Sequence, residues 1–448
     1  MSKNIFDFNQ SYGLVKRYMM TAFRGFYGDY VINGKENIPA EGPVIYAANH
    51  LNALMDPLAV ISALPHKMPI VYLARADYFK KKTTRQMLTF CKLLPAFRMR
   101  DGVGNLEKNH GIFEKCVEVL ENNRALGIMP EGNQGSQRKI RPLVKGIFRI
   151  AFTAQQKYGT EPGVKIVPVG IDFGDFEKFG KHLIINVGKP IEVSEFMITY
   201  NSNPVKATNH LRDRLSNDLS SLTLNLATES HYDCFETATE VANTNFLTSA
   251  NNTLNRFFTR QKIAEKLLKL EKHRPELIEK LDAICSEYRD HLKKLNLRSW
   301  VLEKKQYKRR ELFMSILLLL ITLPVFVIGF IVNMFPFFTP DLIRHLLKIN
   351  FPGGISSLRF GLGMITFPVF YLIQGVLIYR KFRGELWNLI LIIPLQYVFG
   401  KLSYQWYRGY QRHLAKIRYR RLEKQKSPEL IKIKQLHDEI IQIVQQAS

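Results

Sequence analysis

The stretch VIYAANHLNALMDPLAV, residues 44–60, decides how the first half of the chain folds. Its apolar run VIYAAN (44–49) is typical of a buried strand, and the apolar spacing that follows Asp56 is typical of a helix. The strand ends in Asn49 and His50, and a carboxylate starts the helix six residues after the histidine. Such a loop either exposes two solvated side chains or holds an acid/base pair at a strand end.

Strand and helix signals alternate from residue 30 to about residue 192, as in α/β domains with a largely parallel sheet. The predicted fold is a mixed, largely parallel sheet flanked by helices, then a helical region and a C-terminal membrane region of two or three hydrophobic helices. The predicted strands are VIYAAN (44–49), MPIVYLA (68–74), LGIMP (126–130), KIVPVGI (165–171) and LIINVG (183–188). The predicted helices are DPLAVISAL (56–64), RQMLTFCKLL (85–94), NHGIFEKCVEVLENN (109–123) and VKGIFRIAFTAQQKYG (144–159).

Changes in composition predict consecutive segments along the chain. Strand signals vanish after residue 205, where apolar positions recur at helical spacing and charged residues fill the other faces. The predicted segments are an amphipathic N-terminal helix (1–29), an α/β domain (30–200), a helical region (201–310), a transmembrane region (311–404) and a basic helical tail (405–448).

The first segment mixes aromatic residues, methionines, lysines and arginines. At helical spacing it presents an apolar face of Leu14, Tyr18, Met19 and Phe23. A helix of this kind lies in a membrane interface or packs on a protein core, and the sequence leaves both open.

The last third of the chain has the composition of membrane helices. The run LFMSILLLLITLPVFVIGFIVNMF (312–335) is uncharged and long enough to cross a bilayer, and FGLGMITFPVFYLIQGVLIY (360–379) is a second candidate. The shorter LWNLILIIPLQYVFG (386–400) is a third span, a re-entrant piece or an interfacial helix. The positive-inside rule assigns three basic segments to the cytoplasm: 303–310, 379–385 and 407–426. That assignment predicts that the α/β domain lies on the cytoplasmic side of the membrane.

The net charge of +25 implies an anionic partner. Because the basic tail follows the apolar segments, anionic membrane phospholipid is the predicted partner, and no nucleic-acid-binding motif competes for the charge. The four cysteines have no CxxC pair, which excludes the usual zinc sites and a disulfide framework. The N-terminus shows no apolar signal-peptide core.

His50 and Asp56 are the first candidates for chemistry. A carboxylate that accepts from one imidazole nitrogen fixes the tautomer, which leaves the other nitrogen able to take a proton from a hydroxyl. The alternatives are a histidine that is merely structural and an aspartate that only caps the helix, because Asp before Pro is a good N-cap and N1 pair.

Three further stretches carry candidate residues. Arg98 and Arg100 in LLPAFRMRDGVGN (93–105) share a face if that stretch is a strand, and phosphate is the natural ligand for paired guanidiniums. In GIMPEGNQGSQRKIRPLVKG (127–146), Glu131 binds a hydroxyl or holds an arginine. The run VKIVPVGID (164–172) contains Pro168, which predicts an edge or irregular strand.

The order of these pieces resembles the glycerolphosphate and lysophosphatidate acyltransferase family over residues 30–195. That family has a His-x4-Asp block, an arginine block, a Phe-Pro-Glu-Gly-Thr-Arg block and an apolar block with Val-Pro. By this resemblance, His50 is the general base and Asp56 orients it, while Arg98 and Arg100 bind the acceptor phosphate. The resemblance also assigns Glu131 and Gly132 to acceptor binding, and Val167 and Pro168 to the acyl chain or to support of the sheet.

The sequence departs from the family pattern at two places. The first block is His-x5-Asp, one residue longer, which resembles a sub-branch that includes fungal-type glycerol-3-phosphate acyltransferases. Thr-Arg after Glu-Gly is replaced by Asn133 and Gln134, so phosphate contacts must come from elsewhere. Candidates for these contacts are Arg138, Arg141 and Lys145.

The resemblance implies a one-step O-acyl transfer in phospholipid biosynthesis. The donor is acyl-CoA or acyl carrier protein as co-substrate, and no cofactor or metal is implied. The acceptor stays open among glycerol-3-phosphate, 1-acylglycerol-3-phosphate, dihydroxyacetone phosphate and a lyso-aminolipid. The competing hypothesis is a non-catalytic lipid-binding or scaffold protein whose helical region recruits partners.

Overall fold

A computed structural model describes residues 5–96, 106–158, 163–247, 250–304, 306–382 and 388–446. The chain divides into two compact units. The N-terminal unit comprises Met1–Asn225 together with Phe351–Ser357, and the C-terminal unit comprises Leu226–Asn350 and Leu358–Ser448.

Strands and helices alternate along the N-terminal unit, which confirms the predicted α/β class. Its strands are β1 (Asp29–Asn33), β2 (Val44–Ala48), β3 (Ile70–Arg75), β4 (Leu93–Ala96), β5 (Ala125–Ile128), β6 (Lys165–Phe173), β7 (His182–Val187) and β8 (Ile191–Glu192). Its helices are α1 (Gln10–Phe26), α2 (Met55–Ala63), α3 (Lys82–Phe90), α4 (Leu106–Glu121), α5 (Gly146–Tyr158), α6 (Met197–Ser202) and α7 (Pro204–Leu222).

The eight strands form one mixed, mostly parallel sheet in the order β1-β7-β6-β2-β5-β3-β4, with β8 paired to β6. Strand β6 pairs antiparallel with β7 and β8, and the other described pairs are parallel. Every residue of β2 is buried, as expected for a strand that has neighbours on both edges and helices over the sheet. The predicted mixed, largely parallel sheet is therefore confirmed.

Pro168 lies in an interior strand, so of the two predicted alternatives, an edge strand and an irregular strand, the edge strand is wrong. Strand β6 has β2 on one side and both β7 and β8 on the other. The pairing with β8 covers Lys165 and Ile166, and the pairing with β7 begins at Val169. Proline is tolerated because it falls in the gap between these two partners, where its missing N–H interrupts no ladder.

The predicted helix 85–94 ends earlier than expected. Helix α3 stops at Phe90, and Lys92 adopts a backbone φ of +68°, which a continuing helix excludes. Leu93 then begins β4, which pairs in parallel with β3. This short strand and β1 were not among the predicted strands.

One face of the sheet packs on helices α4, α5 and α7. Ile45 and Leu126 from the central strands share a buried apolar cluster with Val117, Phe148 and Leu215 from these three helices. Helix α2 packs on β2, β6 and β7 and contacts α1. Because the central strands carry helices, their ends are the parts that remain able to meet a substrate.

Helix α1 packs through a face that includes Phe23 from the predicted apolar face but is otherwise rotated away from it. Tyr12, Lys16 and Met20 are buried, whereas Leu14 and Tyr18 are exposed. The Lys16 ammonium explains this choice, because it donates to the carbonyl oxygens of Pro65 at 3.2 Å and Met68 at 2.8 Å.

The C-terminal unit is helical in its described part. Its helices are α8 (Tyr232–Phe246), α9 (Thr253–His273), α10 (Pro275–Leu295), α11 (Arg309–Leu346), α12 (Pro352–Phe382), α13 (Asn388–Lys424) and α14 (Pro428–Gln446), of which α12 has its first turn in the N-terminal unit. Helices α8, α9, α10 and α14 pack on one another.

Two of these helices, α11 and α12, are long and apolar enough to cross a membrane, which confirms two candidate spans. The third apolar segment falls partly on residues 383–387, outside the described residues, and continues into α13. Helix α13 runs antiparallel along α11: the Ser403 hydroxyl donates to the carbonyl of Phe326, and the Trp406 indole donates to that of Leu319.

Candidate active site

The candidate site lies at one edge of the sheet. Strands β2, β5 and β4 are linked through parallel pairs, so their carboxyl ends meet at the same edge. His50 follows β2 and Glu131 follows β5 at this edge. The end of β4 at Ala96 reaches it as well. Crevices outside the carboxyl ends of parallel strands are where open α/β sheets bind ligands.

The structure brings His50 and Asp56 together as predicted. Nδ1 of His50 lies 2.8 Å from Oδ2 of Asp56. The Asp56 side chain is fully buried, while the His50 side chain is 21% exposed. A buried carboxylate beside Nδ1 favours the tautomer that carries its proton there. Nε2 then carries a lone pair that can accept a proton.

Asp56 is not the helix N-cap, so that alternative is wrong in its geometry. The N-cap of α2 is Leu54, and Asp56 is the second residue of the helix. Its Oδ2 accepts from the backbone N–H of Leu51 at 2.8 Å and of Asn52 at 2.6 Å, both before the helix. The carboxylate therefore folds the intervening loop back onto itself and presents the same oxygen to His50. The extra residue of the His-x5-Asp spacing is accommodated in this loop.

The backbone of His50 is fixed from the loop that follows β5. Its N–H donates to Oε1 of Glu131 at 2.8 Å, and its carbonyl accepts from the N–H of Gly135 at 2.8 Å. Oε2 of Glu131 accepts from Nε of Arg141 at 2.6 Å. Glu131 thus holds an arginine, which is the second of the two roles predicted for it, and it also holds the strand end that carries His50.

Burial raises the pKa of the Glu131 carboxyl, although the donors from His50 and Arg141 favour its ionised form. The side chain is fully buried, whereas that of Arg141 is 28% exposed. A buried carboxylate with donors on both oxygens is a structural clamp. Its role as a substrate contact stays a prediction.

The two arginines offered as replacements for the missing family arginine already have partners. Arg141 binds Glu131 and the carbonyl of Asn133. Arg138 is buried and binds Oδ1 of Asp172 at 3.2 Å and the carbonyl of Phe173 at 2.6 Å. Both therefore serve the scaffold of the site.

Lys145 differs from these arginines because its side chain is exposed, at the residue that precedes α5. Gly132 has a backbone φ of +70°, in the left-handed region that favours glycine, and turns the chain directly after Glu131. Arg98 and Arg100 lie outside the described residues.

Val167 and Pro168 are buried in the middle of β6. Their register partners in β2 are Tyr46 and Ala47, which come shortly before His50. This placement fits support of the sheet, and a contact with the acyl chain stays a prediction.

Two asparagines of the first block were not predicted. Asn49 exchanges two hydrogen bonds with the backbone of Ile171, at 3.0 and 2.7 Å, and so ties the end of β2 to β6. Asn52 donates from Nδ2 to the carbonyl of Phe176 at 3.2 Å. Both are at most 2% exposed. A polar residue inside an otherwise apolar block was the available signal.

A second His–Asp pair lies in the same sheet. Nε2 of His182 is 3.2 Å from Oδ2 of Asp172. This aspartate also binds Arg138. Since a cation shares its carboxylate, Asp172 is a weaker orienting partner than Asp56, which serves His50 and two backbone N–H groups.

Known proteins that resemble this chain match the part that contains the candidate site. Residues 29–172 match the family model described as Acyltransferase. Glycerol-3-phosphate O-acyltransferase 1 of Saccharomyces cerevisiae is 24% identical over 305 residues, which cover 64% of this chain and 40% of that protein. The 1-acyl-sn-glycerol-3-phosphate acyltransferase of Borreliella burgdorferi is 26% identical over 163 residues, 36% of this chain and 58% of that protein.

Among solved structures, the 1-acyl-sn-glycerophosphate acyltransferase PlsC of Thermotoga maritima is 19% identical with a TM-score of 0.34, over 46% of this chain and 79% of that one. The chain spans only about half the length of the curated relatives, 40% of the yeast protein and 58% of the bacterial one. The family match covers the whole loop from His50 to Asp56 and the clamp at Glu131. Residues 29–172 therefore form a domain of the acyltransferase family.

Proposed function

We propose that this protein is a membrane-bound O-acyltransferase that moves a fatty acyl group from an acyl thioester to a hydroxyl of a glycerol phosphate. The observation that carries the proposal is the His50–Asp56 pair, 2.8 Å apart at the carboxyl end of the central strand. The imidazole is partly exposed and its partner is buried, which is the arrangement of a base that must meet a substrate.

The acyl group passes directly from the thioester to the acceptor oxygen. Nε2 of His50 takes the proton from the acceptor hydroxyl while that oxygen attacks the thioester carbonyl. The carbon–sulfur bond breaks as the tetrahedral intermediate collapses, and the thiolate leaves with the proton that His50 returns. Asp56 keeps the imidazole oriented and stabilises the imidazolium formed in between. Because a thiolate leaves readily, no acyl-enzyme is needed.

The acceptor phosphate binds to cations near the same edge of the sheet. Lys145 is exposed and free to turn toward a ligand, and Arg98 and Arg100 follow the end of β4 by two and four residues in the sequence. Guanidinium pairs bind phosphate oxygens through parallel hydrogen bonds. Arg138 and Arg141 are excluded from this role because each is committed to a carboxylate.

Glycerol-3-phosphate is the first acceptor to test, because the match to a yeast protein of that name covers 64% of this chain. 1-Acylglycerol-3-phosphate is the second candidate, supported by the match to the bacterial protein over 36% of this chain. The donor is acyl-CoA or acyl carrier protein. The His-x5-Asp spacing supports the first acceptor through its resemblance to the fungal-type sub-branch.

Membrane association follows from the two apolar helices, and we infer that the acyltransferase domain faces the cytoplasm. Within the C-terminal unit, the basic segments 303–310 and 407–426 lie together: the rings of Tyr307 and Tyr419 are 5.6 Å apart, and the Lys416 ammonium lies 5.7 Å from the Tyr307 ring. Segments on one side of a bilayer must be able to meet in this way.

An acceptor panel tests this proposal. Purified protein in nanodiscs receives labelled acyl-CoA or acyl carrier protein with each acceptor in turn, and the lipid product is identified. We expect acylation of glycerol-3-phosphate, 1-acylglycerol-3-phosphate or both. If neither of these acceptors is acylated but another lyso-lipid is, that lyso-lipid replaces them as the proposed acceptor. If no acceptor supports thioester turnover, the result favours the scaffold hypothesis.

A further inference from the structure

The segment Phe351–Ser357 belongs to the same compact unit as the candidate active site, although it lies far away in the sequence. It forms the first turn of α12. Ser356 is only 1% exposed, and its hydroxyl lies 2.6 Å from Oδ1 of Asn52 across a separation of 304 residues. This buried contact links a distant segment of the chain to the loop that connects His50 to Asp56.

The chemistry of the two groups fixes the direction of this bond. Asn52 Nδ2 donates to the carbonyl of Phe176, which excludes the flipped amide because that would place two acceptors face to face. Oδ1 of Asn52 is therefore an acceptor, and the Ser356 hydroxyl is its donor. The amide is held at both ends, and this side chain has no freedom to rotate.

Asn52 passes this restraint to the catalytic pair. Its backbone N–H donates to Oδ2 of Asp56 at 2.6 Å, the same oxygen that Nδ1 of His50 meets at 2.8 Å. A shift of Asn52 would therefore shift the carboxylate that orients the imidazole. Ser356 touches neither His50 nor Asp56 and acts on them only through Asn52.

Two more contacts from the same turn reach the same loop. The Ser357 hydroxyl accepts from the N–H of Leu54 at 3.2 Å. Gly353 packs so closely on the Gln134 amide that a Cβ there would displace it, and this amide donates to the carbonyl of Leu51 at 3.2 Å. The turn thus contacts the loop directly at Asn52 and Leu54 and supports Leu51 through Gln134.

The backbone between these contacts is strained. Ala53 has a φ of +44°, in the left-handed region that favours glycine, and the two residues bonded by Ser356 and Ser357 flank it directly. Strained conformations of this kind persist only where the surroundings hold them in place. The turn supplies that hold from outside the contiguous α/β domain.

We propose that Ser356 is a positioning residue for the His50–Asp56 pair and that it acts through Asn52. The inference rests on the proposed acyltransferase function. It predicts that the hydroxyl of residue 356 changes the rate of acyl transfer and leaves substrate binding alone, because this hydroxyl is buried and its partners are Asn52 and the carbonyls of Pro352 and Gly353.

Paired variants of the full-length protein in nanodiscs test the hydroxyl directly. Ser356→Thr and Ser356→Val have nearly the same shape and differ in the hydroxyl, so any strain from the added methyl group is common to both. We expect kcat of the valine variant to be roughly tenfold or more below that of the threonine variant, since small misplacements of catalytic groups are costly. The KM for the acceptor should stay within about twofold, the range expected for sites that do not interact.

A double-mutant cycle tests the route through Asn52. In an Asn52→Leu background the hydroxyl has lost its bond to the loop of the site and keeps only the carbonyls of Pro352 and Gly353 in its own segment. The threonine and valine variants should then have equal kcat within about twofold. Ser220→Ala is the matched control, because the Ser220 hydroxyl donates to the carbonyl of Ser216 within α7. This control should retain the wild-type kcat and KM.

The outcomes separate this inference from the proposed function. An active wild type whose threonine and valine variants transfer equally well overturns the positioning role alone. A difference between them that survives in the Asn52→Leu background overturns the route through Asn52. A wild-type protein that transfers no acyl group to any acceptor overturns the proposed function and this inference with it.

Discussion

Glu131 joins His50 to Arg141 across the two loops of the candidate site. One carboxylate oxygen accepts the backbone N–H of His50 at 2.8 Å, and the other accepts from Nε of Arg141 at 2.6 Å. The imidazole of His50 is thus oriented by Asp56, while its backbone is placed by Glu131. Two buried acids therefore hold one histidine, one through its side chain and the other through its backbone.

Replacing Glu131 with glutamine should weaken both the fold and the reaction. Glutamine offers a single carbonyl oxygen to three donors, which are Nε of Arg141 and the backbone N–H groups of His50 and Arg141. It also leaves the Arg141 guanidinium without its counter-charge. We expect a loss of about 2 kcal/mol of unfolding free energy, together with a lower kcat. Thermal unfolding and thioester consumption of the same preparation measure the two effects.

Glu192→Gln is the matched control for that variant. Glu192 pairs with Lys165 at 3.2 Å in the same sheet, but both side chains are about one-third exposed. Exposed pairs contribute less than about 1 kcal/mol, so this variant should unfold close to wild type and keep its activity. Equal effects of the two substitutions would contradict the clamp assigned to Glu131.

Asp56→Asn separates an orienting acid from an acid that merely shapes the loop. The amide keeps the size of the carboxylate but removes the charge that stabilises the imidazolium. We expect kcat to fall by about a hundredfold or more, with the folded structure retained by circular dichroism. A mild effect on kcat would mean that Asp56 serves only the loop.

Asn9→Ala removes the N-cap of a helix and is the control for Asp56→Asn. Asn9 Oδ1 accepts from the N–H of Tyr12 at 2.7 Å and caps α1. Its removal should cost about 1 kcal/mol of stability with little change in kcat.

Lys16 makes a prediction about pH. Burial lowers the pKa of this lysine from 10.5 to about 8. Between these values the folded protein has released the proton and the unfolded chain still holds it, so unfolding takes up a proton and stability rises with pH. Below about pH 8 the cost of burying the charge is constant.

Thermal unfolding of wild type and Lys16→Met across this range is the measurement. The unfolding free energy of wild type should rise relative to that of the variant as pH rises from about 8 to 10.5, by an amount on the order of 3 kcal/mol. The exposed Lys67 is the control, and Lys67→Met should follow wild type throughout. Parallel profiles of wild type and Lys16→Met would show that Lys16 keeps an ordinary pKa in the folded protein.

The sequence predicted the parts of the fold that rest on local patterns. Strand β2 and helix α2 are where their apolar periods place them, and the loop between them holds the expected pair. The strand β4 was missed because the left-handed backbone at Lys92 separates it from a helix with the same apolar composition. Pro168 was misplaced because tolerance of proline depends on which strands lie beside it.

The missing parts of the site depend on contacts between distant residues. The sequence offers an arginine as one possible partner of Glu131 but does not identify Arg141, and it does not indicate that Arg138 pairs with Asp172. The contact of Ser356 with Asn52 spans 304 residues and leaves no periodic signal. Residue types and order point to the chemistry, and the tertiary fold decides which cations remain free for a substrate.

The central claim is that His50 is the base, and the chain contains its own control in the second His–Asp pair. Thioester consumption with glycerol-3-phosphate and 1-acylglycerol-3-phosphate should be compared among wild type, His50→Ala and His182→Ala in nanodiscs. We predict that His50→Ala lowers kcat by about a thousandfold or more while unfolding like wild type, and that His182→Ala keeps most of the activity. Full activity of His50→Ala, or its loss in His182→Ala alone, would contradict the assignment of the base.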